Sequence, residues 1–170
     1  MKKAFFLLVF APFFAASQDT TAVSSCKLIR ETDPYTKATR ISTGFIKLDG
    51  GSVSIDADQY EIDVIFTISG TDKCYDNNST GWVFFEGVKT KLTSKNGGTM
   101  NCEGLFHFIF KNTPSTPLLL QKLINDRTDH IVFTGNNKKE TTVTIKPEDR
   151  EKLRVMFGCL VTEAKTLIKK

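Results

Sequence analysis

The strongest constraint on how this chain folds is the alternation of apolar and polar residues between positions 60 and 69. Apolar side chains occupy the even positions, and mostly polar side chains occupy the odd positions. Because successive side chains of a β-strand point to opposite faces, the pattern predicts a strand with one strongly apolar face and one mostly polar face. The apolar set is Tyr60, Ile62, Val64, Phe66 and Ile68, and the alternating set is Glu61, Asp63, Ile65, Thr67 and Ser69.

Three short turn sequences separate further pairs of strand-like runs. They are Asp49-Gly50-Gly51, Glu86-Gly87 and Gly135-Asn136-Asn137. Glycine, asparagine and aspartate accept the positive φ that tight turns require, so each turn predicts a β-hairpin. Three hairpins predict an antiparallel sheet system. The paired runs are residues 39–48 with 52–55, 81–85 with 89–93, and 131–134 with 141–145.

The run from Leu105 to Phe110 has a different pattern, since both of its alternating sets are largely apolar. This composition predicts a strand that is covered on both faces. His107 lies inside the run, and its interpretation is a core residue with satisfied hydrogen bonds or a residue that changes faces.

Two segments carry helical signals. Residues 117–124 predict a short, apolar-rich helix. A longer helix is predicted to begin at Pro147, with acidic residues in its first turn, and to finish with Lys169 and Lys170, so both ends complement the helix macrodipole. Its apolar residues fall on one face, as in a helix docked on a sheet. They are Leu153, Met156, Phe157, Leu160, Ala164 and Leu167.

These elements predict an α+β fold, in which an antiparallel β-hairpin-rich sheet or sandwich carries one short helix and a C-terminal amphipathic helix. The predicted organisation is a signal peptide at 1–17, an N-terminal extended segment at 18–38, and a single β-rich domain at 39–170. A chain of this length is enough for one domain with its own core, since domains commonly run to about 100–150 residues.

The first residues have the pattern of a secretory signal peptide. Lys2 and Lys3 precede a mostly apolar run at 4–14, and small residues follow at 15–17. The run is far shorter than the roughly 20 residues that a membrane-spanning helix needs. We expect cleavage after Ser17, or alternatively after Ala16, and a secreted or periplasmic product.

Four cysteines follow this segment: Cys26, Cys74, Cys102 and Cys159. An even number in an exported chain predicts disulfide bonds. Their spacing contains no C-x-x-C and no nearby histidine pair, so a structural zinc site is not expected. Three connectivities are possible. Cys74–Cys102 with Cys26–Cys159 is favoured, because the first bond joins two turn-rich segments and the second ties the N-terminal segment to the C-terminal helix.

Cys26 also has an alternative interpretation as a lipid anchor. The sequence Val23-Ser24-Ser25-Cys26 satisfies a loose bacterial lipobox. In a lipoprotein that box follows the apolar core directly, whereas here the polar residues 18–21 intervene. Disulfide formation is therefore favoured over lipidation, which would also leave an odd thiol.

Two parts of the mature chain carry a family resemblance. One is Glu31-Thr32-Asp33-Pro34-Tyr35-Thr36, followed by Lys37, and the other combines residues 116–123, 131–133 and 152–159. They resemble small exported proteins of Bacteroidetes that have an acidic-x-Asp-x-aromatic-Thr segment, β-hairpins and a C-terminal helix with a cysteine. Lys37 stands where that pattern has a glycine. The resemblance implies export, an α+β layout and a disulfide between the N- and C-terminal parts, and it brings no known activity.

Motifs for catalysis are scarce. The chain has two histidines, His107 and His130, and it contains neither G-x-S-x-G nor H-E-x-x-H. Cysteines held in disulfides supply no thiolate nucleophile. We therefore expect no enzyme activity and no cofactor.

Charge gives no indication of a nucleic-acid partner. The chain has 23 Lys and Arg against 19 Asp and Glu, a formal net charge of +4, and Lys2 and Lys3 belong to the predicted signal peptide. The remaining basic residues are mostly interleaved with acidic ones, which is typical of a solvated surface.

Asp56, Asp58 and Glu61 are the best local cluster of carboxylates. In an extended chain Asp56 and Asp58 point to the same side and together offer oxygens to calcium. The cluster lacks both the further ligand and the turn glycine of an EF-hand loop, so a solvated connection between strands is favoured.

Residues 71–82, Thr-Asp-Lys-Cys-Tyr-Asp-Asn-Asn-Ser-Thr-Gly-Trp, are interpreted as a turn held by a disulfide at Cys74. Aspartate and asparagine side chains bond to neighbouring backbone groups and tolerate positive φ, which explains their number here. Asn77 and Asn78 each begin an N-x-[ST] sequence, which matters only in a host that glycosylates such sites.

Two functional classes fit this sequence. The first is a non-catalytic binding or structural module of the cell envelope, in which Trp82 and Phe85 on a sheet face contact a glycan, a peptide or an apolar molecule. Core packing is the alternative role of Trp82. The second class is an inhibitor-like or enzyme-associated secreted protein that acts through the disulfide-held loop at 71–80.

We predict that millimolar calcium leaves the melting temperature unchanged. A calcium site needs about six oxygen ligands, whereas the local cluster offers only Asp56, Asp58 and Glu61. Binding to the native state alone at 100 times the dissociation constant would add about 2.7 kcal/mol and raise the melting temperature by several degrees. A rise of that size in a thermal melt, abolished by Asp56→Asn with Asp58→Asn, would contradict the prediction.

Overall fold

The computed structural model describes residues 26–169. This range forms an α+β fold of two antiparallel sheets and two helices, which confirms the predicted fold class. The predicted signal peptide at 1–17 lies outside the described residues. The elements are β1 (Ile29–Thr32), β2 (Thr39–Ser42), β3 (Ile46–Leu48), β4 (Gly51–Ala57), β5 (Glu61–Ile68), β6 (Thr80–Phe85), β7 (Leu92–Lys95), β8 (Leu105–Lys111), α1 (Leu118–Asn125), β9 (Thr128–Thr134), β10 (Glu140–Thr144) and α2 (Pro147–Thr166).

The first sheet has the strand order β1-β2-β4-β5-β8, and β3 also pairs with β4. The predicted hairpin around Asp49-Gly50-Gly51 is confirmed as β3 and β4, and Gly50 adopts φ +91° in its turn. The long alternating run predicted at 60–69 becomes β5, which lies between β4 and β8. Because β5 lies in the interior of the sheet, it has a hydrogen-bonded neighbour on each side.

The run predicted at 39–48 is two strands rather than one. β2 ends at Ser42 and β3 begins at Ile46, with Gly44 between them at φ +66°. This left-handed conformation is incompatible with continuous extended backbone, and glycine adopts it without steric cost. As a result β2 pairs with one end of β4 and β3 with the other.

β1 lies in the segment 18–38 that was predicted to be extended, and it pairs with β2 in the first sheet. Lys37, in the turn between β1 and β2, adopts φ +57°. Glycine tolerates this conformation best, and Lys37 stands where the Bacteroidetes pattern has a glycine. Lys37 is thus one of the few non-glycine residues in the described part of the chain with a left-handed backbone conformation.

The second sheet has the strand order β10-β9-β6-β7. Both hairpins predicted in this half of the fold are confirmed, β6 with β7 and β9 with β10. β7 begins at Leu92 rather than at residue 89, because the connection after Phe85 is wider than the Glu86-Gly87 turn alone.

Phenylalanine rings join the inner faces of the two sheets. The ring centroids of Phe66 and Phe106 in the first sheet lie 5.2 and 4.8 Å from that of Phe133 in the second. Gly81 on β6 makes room for Phe108, since a Cβ at position 81 would lie 2.7 Å from that ring. All of these rings are buried, and burial of each is worth about 1.5–3 kcal/mol in transfer free energy.

β8 is buried on one face and only partly covered on the other, in contrast to the predicted cover on both faces. Its alternate phenylalanines are buried between the sheets, whereas Ile109 on the other face is 40% exposed. In place of a second layer, a short segment at 96–98 lies against this outer face, where Gly97 donates its backbone N–H to the carbonyl of His107 at 2.9 Å.

The two helices pack on each other, and α2 also contacts β4 and β9, so it touches both sheets. Leu153, Phe157 and Leu160 are buried on its inner face, as predicted, while Met156 and Leu167 are half-buried. Pro147 begins the helix, and Glu148 lies in its first turn, where a negative charge complements the macrodipole.

The four cysteines form two disulfides in the favoured pairing. Cys26 bonds to Cys159 and so ties the segment before β1 to α2, and Cys74 bonds to Cys102. A lipid on Cys26 would occupy the sulfur atom that this pairing uses. Disulfides are compatible with an oxidising extracellular or periplasmic location.

We predict that Phe157→Ala lowers the free energy of unfolding by roughly 3–5 kcal/mol, because Phe157 is buried between α2 and the sheets and its removal leaves a cavity. Met156→Ala, at a half-buried position on the same helix, is the matched control and should cost less. Urea denaturation of both variants measures the difference. A loss below about 1 kcal/mol for Phe157→Ala would mean that this face of α2 is not part of the core.

Candidate functional site

The outer face of the first sheet carries a groove of about 520 Å³. We call it the outer groove. Apolar and polar groups both line it, and they come from β1, β2, β4, β5, β8 and the break between β2 and β3. The residues that matter most for its chemistry are Ile29, Arg40, Phe45, Asp56, Ile65, Leu105 and His107.

Strand alternation places these side chains on one face. The pairing register sets Ser54 opposite Ile65, and Ile65 opposite His107, in one row across β4, β5 and β8. The neighbouring row sets Asp56 opposite Asp63. Because even-numbered apolar residues of β5 point into the core, its odd-numbered residues face the groove.

The apolar part of the outer groove includes two unusually exposed side chains. Phe45 is 78% exposed and Ile29 is 53% exposed, and both line the groove beside Ile65. Gly44 determines their arrangement, because its φ of +66° turns the chain between β2 and β3 and a Cβ there would contact the end of Ile29. Exposed apolar groups beside polar ones are typical of a binding surface.

Asp56 is the centre of a polar network at one edge of the groove. Its carboxylate accepts hydrogen bonds from Arg40 Nη2 at 2.5 Å, from Ser42 Oγ at 2.5 Å and from Ser54 Oγ at 3.0 Å. The salt bridge offsets the repulsion between Asp56 and Asp63, which lie opposite each other in the register. This edge of the groove is therefore preorganised.

His107 and Asp63 form a second polar pair. His107 Nδ1 lies 2.8 Å from Asp63 Oδ2. This hydrogen bond raises the pKa of His107, while partial burial acts in the opposite direction. The backbone of His107 is also held, since its N–H donates to the side chain of the buried Asn96 at 2.8 Å.

The position of His107 differs from its interpretation as a core residue, since its side chain lies on the outer face. A histidine oriented by an aspartate is one part of a nucleophilic triad. Here, however, the hydroxyls of Ser42 and Ser54 are bonded to Asp56 and not to His107. Neither hydroxyl is therefore bonded to His107 as a triad nucleophile would be.

Trp82 lies on the outer face of the second sheet, half-buried, with Lys91 Nζ 4.1 Å from its ring centroid. Phe85, which was predicted to share this face as a ligand contact, is only 4% exposed and belongs to the core. Phe84 takes the place beside Trp82, and its ring stacks on His130 at 4.3 Å. The two candidate ligand contacts thus lie on opposite faces, because they are three positions apart and side chains alternate along β6.

The carboxylates proposed as calcium candidates have partners of their own. Asp58 Oδ1 accepts the backbone N–H groups of Tyr60 and Glu61 at 2.7 and 2.9 Å, and so holds the turn between β4 and β5. Asp56 is bonded to Arg40. Within residues 26–169, no three His, Cys, Asp or Glu side chains are grouped as metal ligands would be.

The loop at 71–80 is packed against the rest of the protein. Tyr75 is buried and pairs with Asn101 through two backbone hydrogen bonds, and Asn136 donates its backbone N–H to the carbonyl of Cys74 at 3.2 Å. Asp76 accepts hydrogen bonds from Asn78 and Ser79, which lower the pKa of its carboxyl group. The interpretation as a disulfide-held turn agrees with this geometry.

Sequence reasoning missed the outer groove as a site. It singled out Asp56 as a carboxylate and His107 as a strand residue, without connecting them. Phe45, Arg40 and Ile65 belong to no sequence motif that would have marked them as site residues. The detectable signal was Ile65, an apolar residue at an odd position of an otherwise polar set. A single apolar residue on the polar face of a strand is common, and Ile65 becomes informative only because the exposed Phe45 and Ile29 line the same groove.

Comparison with protein-family models, curated proteins and solved structures found no match for this chain. Among the helices of the described residues, none is long and apolar enough to cross a membrane. The resemblance to exported Bacteroidetes proteins therefore stays a prediction.

We predict that the His107–Asp63 pair makes stability depend on pH. Because the pKa of His107 is raised above its unfolded value of about 6.5, protonation favours the native state. This contribution is fully present below about pH 6.5 and is lost as the pH rises through the native pKa of His107. Relative to Asp63→Asn, the wild type should lose stability as the pH rises from about 6.5 through the raised native pKa of His107.

Urea denaturation across this range measures the difference. His107→Gln, which removes the titrating group itself, should follow Asp63→Asn. If the wild type and both variants change in parallel with pH, the hydrogen bond does not shift the protonation of His107.

Proposed function

We propose that this chain is an exported, non-catalytic protein of the cell envelope that binds an amphipathic ligand in the outer groove. The ligand places an apolar part against Phe45, Ile65 and Leu105, and a polar part against the charged edge at Arg40 and Asp56. The protein acts as a binding module, and its partner is an envelope component, a glycan-bearing molecule or a protein segment that presents such a group.

The observation that carries this proposal is that two exposed apolar side chains, Phe45 and Ile29, line the same groove as Ile65. The hydrogen-bonded side chains of Arg40 and Asp56 line that groove as well. A volume of about 520 Å³ lies within the range of small-molecule sites. Phe45 extends from the break between two strands, where packing of the core does not require an aromatic residue. Contact with a ligand would explain why an aromatic side chain is exposed at this position.

Export is supported by three features. The N-terminal residues follow the pattern of a signal peptide. Two disulfides are compatible with an oxidising compartment. The resemblance to exported Bacteroidetes proteins points the same way. Together they favour a secreted or periplasmic location over one in a reducing compartment.

The inhibitor-like alternative depends on a rigid, disulfide-held loop at 71–80 that protrudes from the surface. That loop has Tyr75 in the core and backbone hydrogen bonds to residues 101 and 136. A loop held in this way has few atoms free to enter the active site of another protein. The geometry therefore favours the binding module.

We predict that the neutral apolar dye N-phenyl-1-naphthylamine binds in the outer groove and that its fluorescence rises on binding. Phe45→Ser should weaken dye binding by roughly tenfold, because part of the 1.5–3 kcal/mol of a buried aromatic contact is lost. Phe45 is exposed in the free protein, so its replacement should leave the melting temperature nearly unchanged.

Tyr60→Ser is the matched control, since Tyr60 is also an exposed aromatic residue but does not line the groove. It should bind the dye like the wild type. Absence of dye binding to the wild type, or equal weakening by both substitutions, would overturn the proposal that the outer groove is the binding site.

A further inference from the structure

The outer face of the second sheet carries a row of aromatic side chains that the proposed function does not use. Trp82 and Phe84 alternate along β6 with residues that are buried between the sheets. His130 of β9 lies opposite Phe84 in the pairing register, and the two rings stack with their centroids 4.3 Å apart and an interplanar angle of 11°. All three rings are half-buried, so part of each reaches solvent. We call this surface the aromatic face.

Threonine side chains surround the three rings. Trp82 lies opposite Thr93 of β7 on one side and opposite Val132 of β9 on the other, and Thr142 of β10 follows Val132. Each hydroxyl both donates and accepts hydrogen bonds. Because neighbouring strands lie 4.7–4.9 Å apart, the four strands span about 14 Å, which is room for several linked units of a ligand. The threonines of this face are Thr80, Thr93, Thr134, Thr142 and Thr144.

Two lysines give the β7 edge of the aromatic face a positive charge. Lys91 Nζ lies 4.1 Å from the ring centroid of Trp82 and 5.6 Å from that of Phe84. Lys95 lies opposite Thr80 in the register, and both lysines are exposed. Among residues 26–169, neither lysine forms a salt bridge. Both ammonium groups are therefore available to a ligand.

The carboxylates of this sheet do not neutralise the two lysines. Asp129 and Glu86 both form salt bridges with Arg150. Glu140 is on β10, the strand at the opposite edge of the sheet from Lys95. The β7 edge of the aromatic face therefore attracts a negatively charged group.

Aromatic rings beside hydroxyl groups are suited to sugars. The C–H groups of a sugar ring pack on an aromatic ring, and the sugar hydroxyls exchange hydrogen bonds with threonine hydroxyls. In a uronic acid the carboxylate is bonded directly to the sugar ring, so a unit packed on Trp82 holds its acid within reach of Lys91. The flexible stem of Lys91 lets its ammonium group leave the face of the ring and meet that carboxylate.

We infer that the aromatic face binds an acidic glycan built of uronic-acid units. The rings pack against sugar rings, the threonines bond to sugar hydroxyls, and Lys91 and Lys95 pair with the carboxylates. This surface is on the second sheet, whereas the outer groove is on the first, so the inference goes beyond the proposed function and does not depend on it.

The fluorescence of Trp82 tests the inference, because Trp82 is the single tryptophan of the chain. Hexagalacturonate should shift the emission to shorter wavelengths as the sugar shields the ring from water. Its dissociation constant should be at least about tenfold lower than that of maltohexaose, a neutral hexasaccharide, at the same ionic strength. An unchanged emission with hexagalacturonate, or equal binding of the two sugars, overturns the inference.

Two other anions separate a glycan site from other kinds of binding surface. Hexaglutamate has the same number of acidic side groups on a peptide, and hexathymidylate has phosphates on a nucleic acid. Each should bind at least about fivefold more weakly than hexagalacturonate. Equal or tighter binding of either one would make the aromatic face a peptide or nucleic-acid surface and overturn the inference. Displacement of N-phenyl-1-naphthylamine by hexagalacturonate would place the glycan in the outer groove, with the same consequence.

Lys91→Gln combined with Lys95→Gln should weaken hexagalacturonate binding by about three- to tenfold, since two exposed ion pairs are lost. Lys47→Gln combined with Lys111→Gln is the matched control, because it changes the net charge equally at two exposed strand positions of the first sheet. It should bind hexagalacturonate like the wild type. Equal weakening by the two double variants, or no weakening by the first, would show that the lysines of the aromatic face do not hold the ligand.

Discussion

The contact between phenylalanine rings of the two sheets is the interaction on which the rest of this structure depends. Each sheet has one apolar face, and neither is stable in water unless that face is covered. Phe66, Phe106 and Phe108 of the first sheet meet Phe133 of the second, and Gly81 leaves the space that the ring of Phe108 fills. Once these inner faces are joined, the outer faces are determined as well, because alternation along a strand leaves no freedom to exchange them.

The outer groove follows from that arrangement and from one local exception to it. With the even-numbered residues of β5 committed to the core, Asp63 and Ile65 must face outward. The break at Gly44 then places Phe45 in the same groove as Ile65 instead of continuing β2 into β3. The site is thus built on strands whose positions are fixed by the core, while its most exposed apolar side chain extends from an irregular connection. Preorganised polar groups next to an adaptable apolar wall suit a ligand that has both kinds of surface.

Much of the fold could be predicted from the sequence because its signals are local. The period-two pattern of β5, the three turn sequences and the start of α2 at Pro147 each depend on residues close together in the chain. The errors arose where distant residues decide the outcome. The alternation at 105–110 does not reveal that the segment at 96–98 would replace a second layer. The error at Phe85 is of another kind, because strand alternation alone already places it on the face opposite to Trp82. The candidate site was the least predictable part, since Arg40, Asp56 and Asp63 meet only through strand pairing.

The bond between Cys26 and Cys159 joins residues that are 133 positions apart in the chain. Synthesis proceeds from the N-terminus, so Cys26 is made long before its partner, while Cys74 and Cys102 are separated by only 28 positions and become available together. During that interval Cys26 meets Cys74 before it meets Cys159, and an early bond between them would have to be exchanged later. Oxidative folding of this chain therefore benefits from a catalyst of thiol–disulfide exchange. Cys26 lies just before β1, which carries Ile29 to the outer groove, so this bond ties one wall of the groove covalently to the last helix of the described chain.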